Sequence, residues 1–333
     1  MEQRTLGSAG PVVSGIGLGC MGMSGMYGPA DRAESIATIH AALDSGVTLL
    51  DTGDFYGMGH NETLLGEALR GIPRDRYQLS VKFGSLRDPS GAFIGNDSRP
   101  NSVKNFITYS LQRLGVDHLD IYRPSRLDED TPIEDTIGAL SELVQAGYVR
   151  HIGLSEIGAA TLRRAVAVHP IADLQIEYSL VTRGIERSIL PAARELGVGI
   201  TAYGVLARGL ISGHYRADVP QAGDMRARTP RFRKDNLDAN LSLVEALRTI
   251  AEAKGMSVTQ IAIAWVLAQG GDIVPVVGAR RRDQLTETLS GFDVTLSPDD
   301  LAAIESVAPA DAIKGARYPD MVLAHMDSER GDT

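Results

Sequence analysis

Two polarity patterns alternate along this chain from its first dozen residues to about residue 300. Short apolar runs at 12–18, 47–50, 78–81, 118–122, 149–154, 173–176, 198–202 and 272–277 predict eight strands. Between them, apolar residues such as Ile36, Ile39 and Leu43, or Ile137, Leu140, Leu143 and Val144, recur at helical spacing and share one face. Strand–helix alternation implies parallel βαβ units. The strand runs are apolar at consecutive positions, the pattern of strands covered on both faces. Eight such units predict an α/β fold of the (β/α)8 TIM-barrel type in one domain, 1–333, with its core at about 4–304 and a tail at about 309–333.

The connections add three expectations. Residues 4–6, followed by Gly7-Ser8-Ala9-Gly10-Pro11, read as a short N-terminal hairpin leading into strand one. Residues 208–238 are rich in Arg, Gly and Pro without periodicity and predict a long covering loop, a length that in a compact domain goes with function. Ser297-Pro298-Asp299-Asp300 opens a further helix, and the weakly periodic tail after Pro309 is expected on the surface over one end of the core.

Composition narrows the chemistry. The 333 residues carry 33 Lys and Arg against 42 Asp and Glu, a net charge of −9, which disfavours nucleic acid and acidic membrane surfaces as partners. One cysteine, Cys20, and seven scattered histidines supply no ligand set with metal spacing, so no metal is expected. The first residues lack a basic head with an apolar run, and no stretch of eighteen apolar residues occurs, so a soluble cytoplasmic protein is expected.

A doubly wound sheet is the competing architecture, because Gly17-Leu18-Gly19-Cys20-Met21-Gly22 matches GxGxxG. That fingerprint needs a helix opening at its third glycine and an acid about 20 residues on at a strand end. Here the following residues are loop-like, the helix starts near Asp31, and the nearest acid, Asp44, lies at a helix end. The glycines therefore read as a strand-to-helix loop at a barrel mouth.

In such a barrel, chemistry sits where strands end. Those ends carry Asp51, Tyr56, Lys82, the segment from Tyr122 to Ser125, Ser155-Glu156, Gln175 and Glu177, and Tyr203. Singly, Asp51 reads as a cap, Tyr56 as a loop aromatic and Lys82 as a surface charge. Together an acid, a tyrosine and a lysine form a proton-delivery device, in which the ammonium lowers the tyrosine pKa from about 10 and the carboxylate holds the lysine. After the last strand, Arg280, Arg281 and Arg282 stand at a strand-to-helix junction in an acidic chain, where basic side chains and free helix N–H groups suit an adenosine phosphate.

Asp51-Thr52-Gly53-Asp54-Phe55-Tyr56-Gly57, then Asn61-Glu62 and Leu65-Gly66-Glu67-Ala68-Leu69, resemble the aldo-keto reductase signature. Gly153-Leu154-Ser155-Glu156, Gln175-Ile176-Glu177-Tyr178-Ser179 and Ile273-Val274-Pro275-Val276-Val277-Gly278 extend the resemblance from about residue 4 to 304. It implies a barrel that binds NADPH (NADP+ when oxidised) at its mouth and reduces an aldehyde or ketone, a small-molecule carbonyl. Asp51, Tyr56 and Lys82 map onto three of the family's four catalytic positions, with Tyr56 as general acid, Lys82 tuning it and Asp51 holding Lys82. Ser155 and Gln175 would bind the carboxamide and Tyr203 would stack on the nicotinamide. Gly204, Leu206 and Arg208 begin the cofactor-covering segment. Gly278, Ala279, Arg280, Arg282, Gln284, Glu287 and Thr288 match the adenosine-phosphate segment, with Thr288 where asparagine is usual. At the fourth catalytic position Ser125 stands in place of the family's histidine. A serine hydroxyl still donates a hydrogen bond, while His118 and His151 are expected to be structural.

Two other functions remain open on the sequence. One is a nucleotide-binding redox-sensing or regulatory protein with little turnover. The other is a barrel hydrolase using Asp120, Glu177 or Asp128. Substrate identity lies outside these motifs, because substrate walls come from the loops at 85–99 and 216–236 and from the tail.

Overall fold

A computed structural model describes residues 1–215 and 224–330. Eight strands close into a barrel: β3 (Gly17–Gly19), β4 (Leu49–Gly53), β5 (Gln78–Phe83), β8 (Leu119–Pro124), β9 (Val149–Ser155), β10 (Ile171–Glu177), β11 (Gly199–Tyr203) and β12 (Ile273–Gly278). Each pairs in parallel with the next in chain order, and β12 returns to β3. Parallel neighbours require a crossover, and the amphipathic helices supply it. The crossover helices are α1 (Arg32–Asp44), α2 (His60–Ala68), α3 (Pro100–Leu114), α4 (Ile133–Gln145), α5 (Ala159–Val168), α6 (Ile189–Glu195), α7 (Lys234–Glu252) and α8 (Val258–Ala268), and α9 (Arg282–Ser290), α10 (Pro298–Val307) and α11 (Asp320–Leu323) follow the last strand.

The expected first strand divides in two. Val12–Ser14 (β2) pairs antiparallel with Gln3–Thr5 (β1), while only Gly17–Gly19 enters the barrel. The hairpin seals the end of the barrel opposite the strand C-termini: buried Leu6 and Val13 cluster with Leu49, Ile121, Val274 and Val276. Arg4 donates to the carbonyls of Gly270 and Ile273 at 3.1 and 2.6 Å, and His151 Nδ1 lies 2.9 Å from the Ala9 carbonyl.

Helix α1 begins after Asp31, whose side chain accepts from the Glu34 N–H. Ser297 and Asp300 form a capping box on α10. The second strand runs through Gly53 rather than ending at residue 50, which turns Asp51 into a barrel-lining residue. The segment 85–99 contains an antiparallel hairpin of Ser85–Arg87 (β6) and Phe93–Asn96 (β7).

The long loop ends earlier than expected, at Lys234. Leu237, Asn240, Val244, Leu247 and Ala251 form the buried stripe of α7 at three- and four-residue spacing. Polar Asn240 interrupts the apolar pattern, and its amide is satisfied by the carbonyls of Arg231 and Lys314 at 3.1 and 2.9 Å. Part of the same loop, 216–223, lies outside the described residues.

Candidate active site at the strand C-termini

Asp51 and Lys82 face each other across β4 and β5. Lys82 Nζ donates to Asp51 Oδ2 at 2.6 Å, and Asp51 Oδ1 accepts from Ser80 Oγ at 2.9 Å and from Gln175 Nε2 at 2.8 Å. A tight turn, with Tyr56 N–H on the Gly53 carbonyl at 3.1 Å, folds Tyr56 back over this pair. Lys82 Nζ lies 5.1 Å from the centre of the Tyr56 ring, and Phe55 packs edge-on at 4.8 Å. Asn61 secures the turn, accepting from Thr52 Oγ1 at 2.6 Å and donating to the Cys20 carbonyl at 2.8 Å. The structure thus brings together four of the residues singled out in the sequence, Asp51, Tyr56, Lys82 and Gln175.

The ionisation differs from the sequence expectation. Burial, reinforced by Asp51, holds the Tyr56 hydroxyl well above the ordinary tyrosine value instead of below it. A phenolate would lose its hydration in this site, and Lys82 spends its charge on Asp51. Burial also lowers the Lys82 ammonium, against the pull of Asp51. Asp54, beside the turn, is pushed up to about 7 by burial and by Glu62.

Ser125 follows β8, held by its N–H on the Phe83 carbonyl at 2.8 Å. Its hydroxyl is buried without a hydrogen-bond partner, whereas buried polar groups are nearly always satisfied. Asp120, Glu177 and Asp128, the carboxylates of the hydrolase reading, serve separate neighbours. Asp120 takes Arg74, Glu177 takes Arg208 and Arg231, and Asp128 accepts from Ser98 N–H and Thr131. His118 sits beside Asp117 at 2.6 Å.

Beyond β9 and β10 a second polar cluster closes the mouth. Glu156 accepts from Arg317 Nη1 and Nη2 at 2.9 and 2.7 Å, from Tyr203 Oη at 2.6 Å and from Ser328 Oγ at 2.6 Å. Burial would raise this carboxyl, but Arg317, with Arg126 and Ser328, holds it below the usual carboxylate range. Tyr203 Oη also lies 3.1 Å from Tyr318 Oη, and the Arg208 guanidinium covers the Tyr318 ring at 4.5 Å. The tail is therefore built into the mouth and does more than overlie the core.

Sequence reasoning missed Arg317 and Tyr318, which stand in a segment without periodicity. The one available signal was Glu156, an acid at a strand end that would require a cation. Ser155 lies at the end of β9, in register with Gln175. At Gly204 a Cβ would come within 2.9 Å of Glu177 Cγ, so the covering segment requires glycine where it leaves β11. Leu206 and Ala207 follow, and Ala207 and Arg208 hold φ of 46° and 59°, a left-handed kink.

After β12, Gly278 and Ala279 lead to the arginine run. Arg280 Nη1 donates to the carbonyls of Tyr27, Gly28 and Pro29 at 3.0–3.3 Å, and its N–H reaches Gln284 Oε1 at 3.2 Å. Arg281 pairs with Asp283. Arg282 donates from its N–H at 3.0 Å and from its guanidinium at 3.1 and 3.0 Å to Glu34. The run is less free than its sequence suggests, and the carboxylate of Glu34 rests on the N-terminal end of α9, which has no side-chain cap of its own. A phosphorylated nucleotide fits this chemistry. Glu287 takes His214 at 2.8 Å, and Thr288 is buried.

No helix among the described residues is long and apolar enough to cross a membrane.

Comparison with known proteins agrees with this architecture. The Aldo/keto reductase family model matches residues 15–309. A probable aldo-keto reductase of Glycine max is 40% identical over 317 residues, covering 94% of this chain and 90% of that protein. Among solved structures, a glycerol dehydrogenase from Gluconobacter oxydans superposes with a TM-score of 0.83 at 28% identity, covering 99% of this chain and 98% of that one. The holo form of an aldo-keto reductase from Bacillus halodurans gives 0.77 at 28% identity, covering 93% and 97%. The chain belongs to the aldo/keto reductase family. It is thereby placed among the oxidoreductases that use a nicotinamide cofactor, NAD(P)H, on small carbonyl compounds.

Proposed function

We propose that the protein is an NADPH-dependent reductase that converts an aldehyde or ketone to the alcohol, with Tyr56 as general acid. The observation that carries this reading is the stack of Tyr56 over Lys82, itself 2.6 Å from Asp51. The dinucleotide supplies hydride when bound. The protein's part is to hold the carbonyl and deliver a proton to its oxygen. A Tyr56 hydroxyl kept protonated by burial is present as donor across the neutral range. The Lys82 ammonium, 5.1 Å from the centre of the Tyr56 ring, is read as the charge that would stabilise the oxygen left on Tyr56 after transfer. Ser155 and Gln175 would take the carboxamide, and Tyr203, its hydroxyl tethered to Glu156, would offer its ring to one nicotinamide face. Gly204, Leu206 and Arg208 would cover the pyrophosphate. Gly278, Ala279, Arg280, Arg282, Gln284, Glu287 and Thr288 would line the adenosine end. Following absorbance of the reduced cofactor against a panel of aldehydes and ketones tests the reading; no oxidation of NADPH by any member would overturn it.

Ser125 is read as a neutral orienting contact to the carbonyl, its unpartnered hydroxyl being free to donate. Ser125→Ala should lower kcat/KM by roughly two- to tenfold, the worth of one neutral hydrogen bond of about 0.5–1.5 kcal/mol. A loss as deep as that of a Tyr56 variant would give Ser125 a chemical role.

The arginine run is read as the 2′-phosphate site. NADPH should bind more tightly than NADH, and added salt should narrow the difference. Glu34→Gln should widen it, because Glu34 occupies the guanidinium of Arg282. Equal dissociation constants at low salt, or no response to alanine at Arg280, Arg281 and Arg282, would remove the assignment.

A further inference from the structure

The barrel interior contains a second ion pair that the reaction described above does not use. Strand side chains alternate, so Ser80 with Lys82 and Asp173 with Gln175 share faces of β5 and β10, and Arg123, in register with Lys82, lies on β8 two residues before Ser125. Arg123 and Asp173 are both wholly buried and meet at 2.8 Å. Asp173 also accepts from Thr201 Oγ1, and Arg123 Nη1 reaches Thr201 Oγ1 at 3.2 Å. The neighbouring strand makes room for the pair: a Cβ at Gly153 would lie 2.7 Å from Asp173 Oδ1 and 3.0 Å from Arg123 Cζ. Apolar side chains of similar volume often fill such a space with equal or greater stability. Stability alone is therefore a weak reason for an arginine here.

The other end of the guanidinium supplies a stronger one. Arg123 Nη2 lies 2.9 Å from Ser80 Oγ. A guanidinium can only donate, so the Ser80 hydroxyl accepts that bond on a lone pair and has its single proton left for Asp51. That bond to Asp51 Oδ1 measures 2.9 Å. With Gln175 and Lys82, Asp51 then receives three donors and is fixed in both position and rotation.

We propose that Arg123 is a positioning residue for the Tyr56–Lys82 proton donor: it orients the Ser80 hydroxyl onto Asp51 and so pins the carboxylate that holds Lys82. The proposal rests on Tyr56 and Lys82 acting as read above. Charge alternates along the row, from Lys82 to Asp51 and, past Ser80, from Arg123 to Asp173. An unpinned Asp51 would hold the buried ammonium less firmly.

The test is the titration of Lys82. The groups facing it are Asp51 from β4, Arg123 from β8, Arg126 just beyond, and Cys20 after β3. Tyr56 is faced by Asp51, Tyr27, Arg126 and Tyr318. Asp54, pushed up to about 7 by burial and Glu62, does not touch Ser80, Arg123 or Asp173, so its own titration is expected to cancel when variants are compared. The sequence has only five lysines, so isotope-labelled lysine allows the Lys82 ammonium to be followed by NMR without turnover.

Ser80→Ala should lower the Lys82 midpoint by about half to one pH unit, move the alkaline limb of kcat with it, and reduce kcat roughly three- to tenfold while cofactor affinity stays within about twofold. In an Arg123→Leu/Asp173→Leu background, which keeps the core neutral, Ser80→Ala should cost less than about twofold in kcat, because the hydroxyl has already lost its imposed direction. Melting temperatures of all variants separate folding losses from these effects. An unmoved Lys82 midpoint, or an equal cost of Ser80→Ala in both backgrounds, would overturn the proposal. Wild-type protein inert toward every carbonyl, but with a Lys82 midpoint that falls in Ser80→Ala and does not fall further when Ser80→Ala is added to the Arg123→Leu/Asp173→Leu background, would instead overturn the reductase reading and leave the ordering role of Arg123 standing.

Discussion

Replacing Tyr56 with phenylalanine is expected to reduce carbonyl turnover by about 10²–10⁴-fold, the range of a positioned general acid. The ring contacts explain why this substitution isolates the hydroxyl. Phe55 packs on the Tyr56 ring at 4.8 Å and Lys82 Nζ lies 5.1 Å from its centre, and neither contact uses the hydroxyl. Phenylalanine preserves both, so the dissociation constant for NADPH and the melting temperature should stay close to wild type. The loss should fall on kcat, because the missing proton is needed only as charge develops on the carbonyl oxygen. Turnover within about threefold of wild type would exclude Tyr56 as the acid, since even the low end of the range is about a hundredfold.

The second large effect concerns folding. Arg317→Ala removes the bidentate cation from Glu156 and leaves a carboxylate with no solvent exposure held only by the hydroxyls of Tyr203 and Ser328, the Glu177 N–H and the field of Arg126. Breaking one side of a buried ion pair typically destabilises by about 3–5 kcal/mol, which denaturant unfolding at pH 7 would read directly. The pH dependence has a definite sign. Glu156 is held below the usual carboxylate range in the folded protein. Its contribution to stability is therefore complete above the unfolded glutamate value of about 4.3 and is lost as pH falls below it. Without Arg317 the same burial raises the carboxyl, so the variant sheds its penalty by protonation as the solution is acidified. The gap between wild type and Arg317→Ala should narrow as pH falls from 7 through the carboxylate range, and Glu156→Gln should recover part of the loss. A variant within about 1 kcal/mol of wild type at pH 7 would show that solvent reaches Glu156 and that no buried pair of this strength exists.

These two sites were not equally legible in the sequence. Tyr56 stands in a motif whose other members have local work: Thr52 and Asn61 hold each other, and Asn61 holds the Cys20 carbonyl. Such short-range constraints leave a contiguous pattern. Arg317 is tied to Glu156 by 161 residues of intervening separation, and no periodicity in either segment announces the pair. The barrel itself was readable because buried parallel strands are apolar on both faces. Its exceptions were instructive. Ser80, Arg123 and Asp173 are polar residues inside strands, two positions from the site residues Lys82, Ser125 and Gln175, and they pass for breaks in an apolar run until the strands are paired. The 12–18 run misled for a related reason: one stretch serves both a hairpin and a barrel strand. The Tyr56 hydroxyl illustrates a different limit. A nearby lysine says which way charge acts, but burial decides the outcome, and burial is a property of the assembled mouth.

The seam between β12 and β3 bears on how the molecule is made. Val276, Val277 and Gly278 pair with Gly17, Leu18 and Gly19, so a three-residue strand from the start of the barrel waits for almost the whole domain before its second neighbour exists. Contacts so distant along the chain form slowly, because loop closure must precede any reward from pairing. During synthesis the free edge of β3 is short and contains two glycines, a poor template for pairing with another nascent chain. The hairpin of β1 and β2 pairs within itself and needs no later strand to form. The glycine-rich opening strand that imitates a nucleotide fingerprint can thus serve as a quiet edge on the ribosome until the last strand arrives.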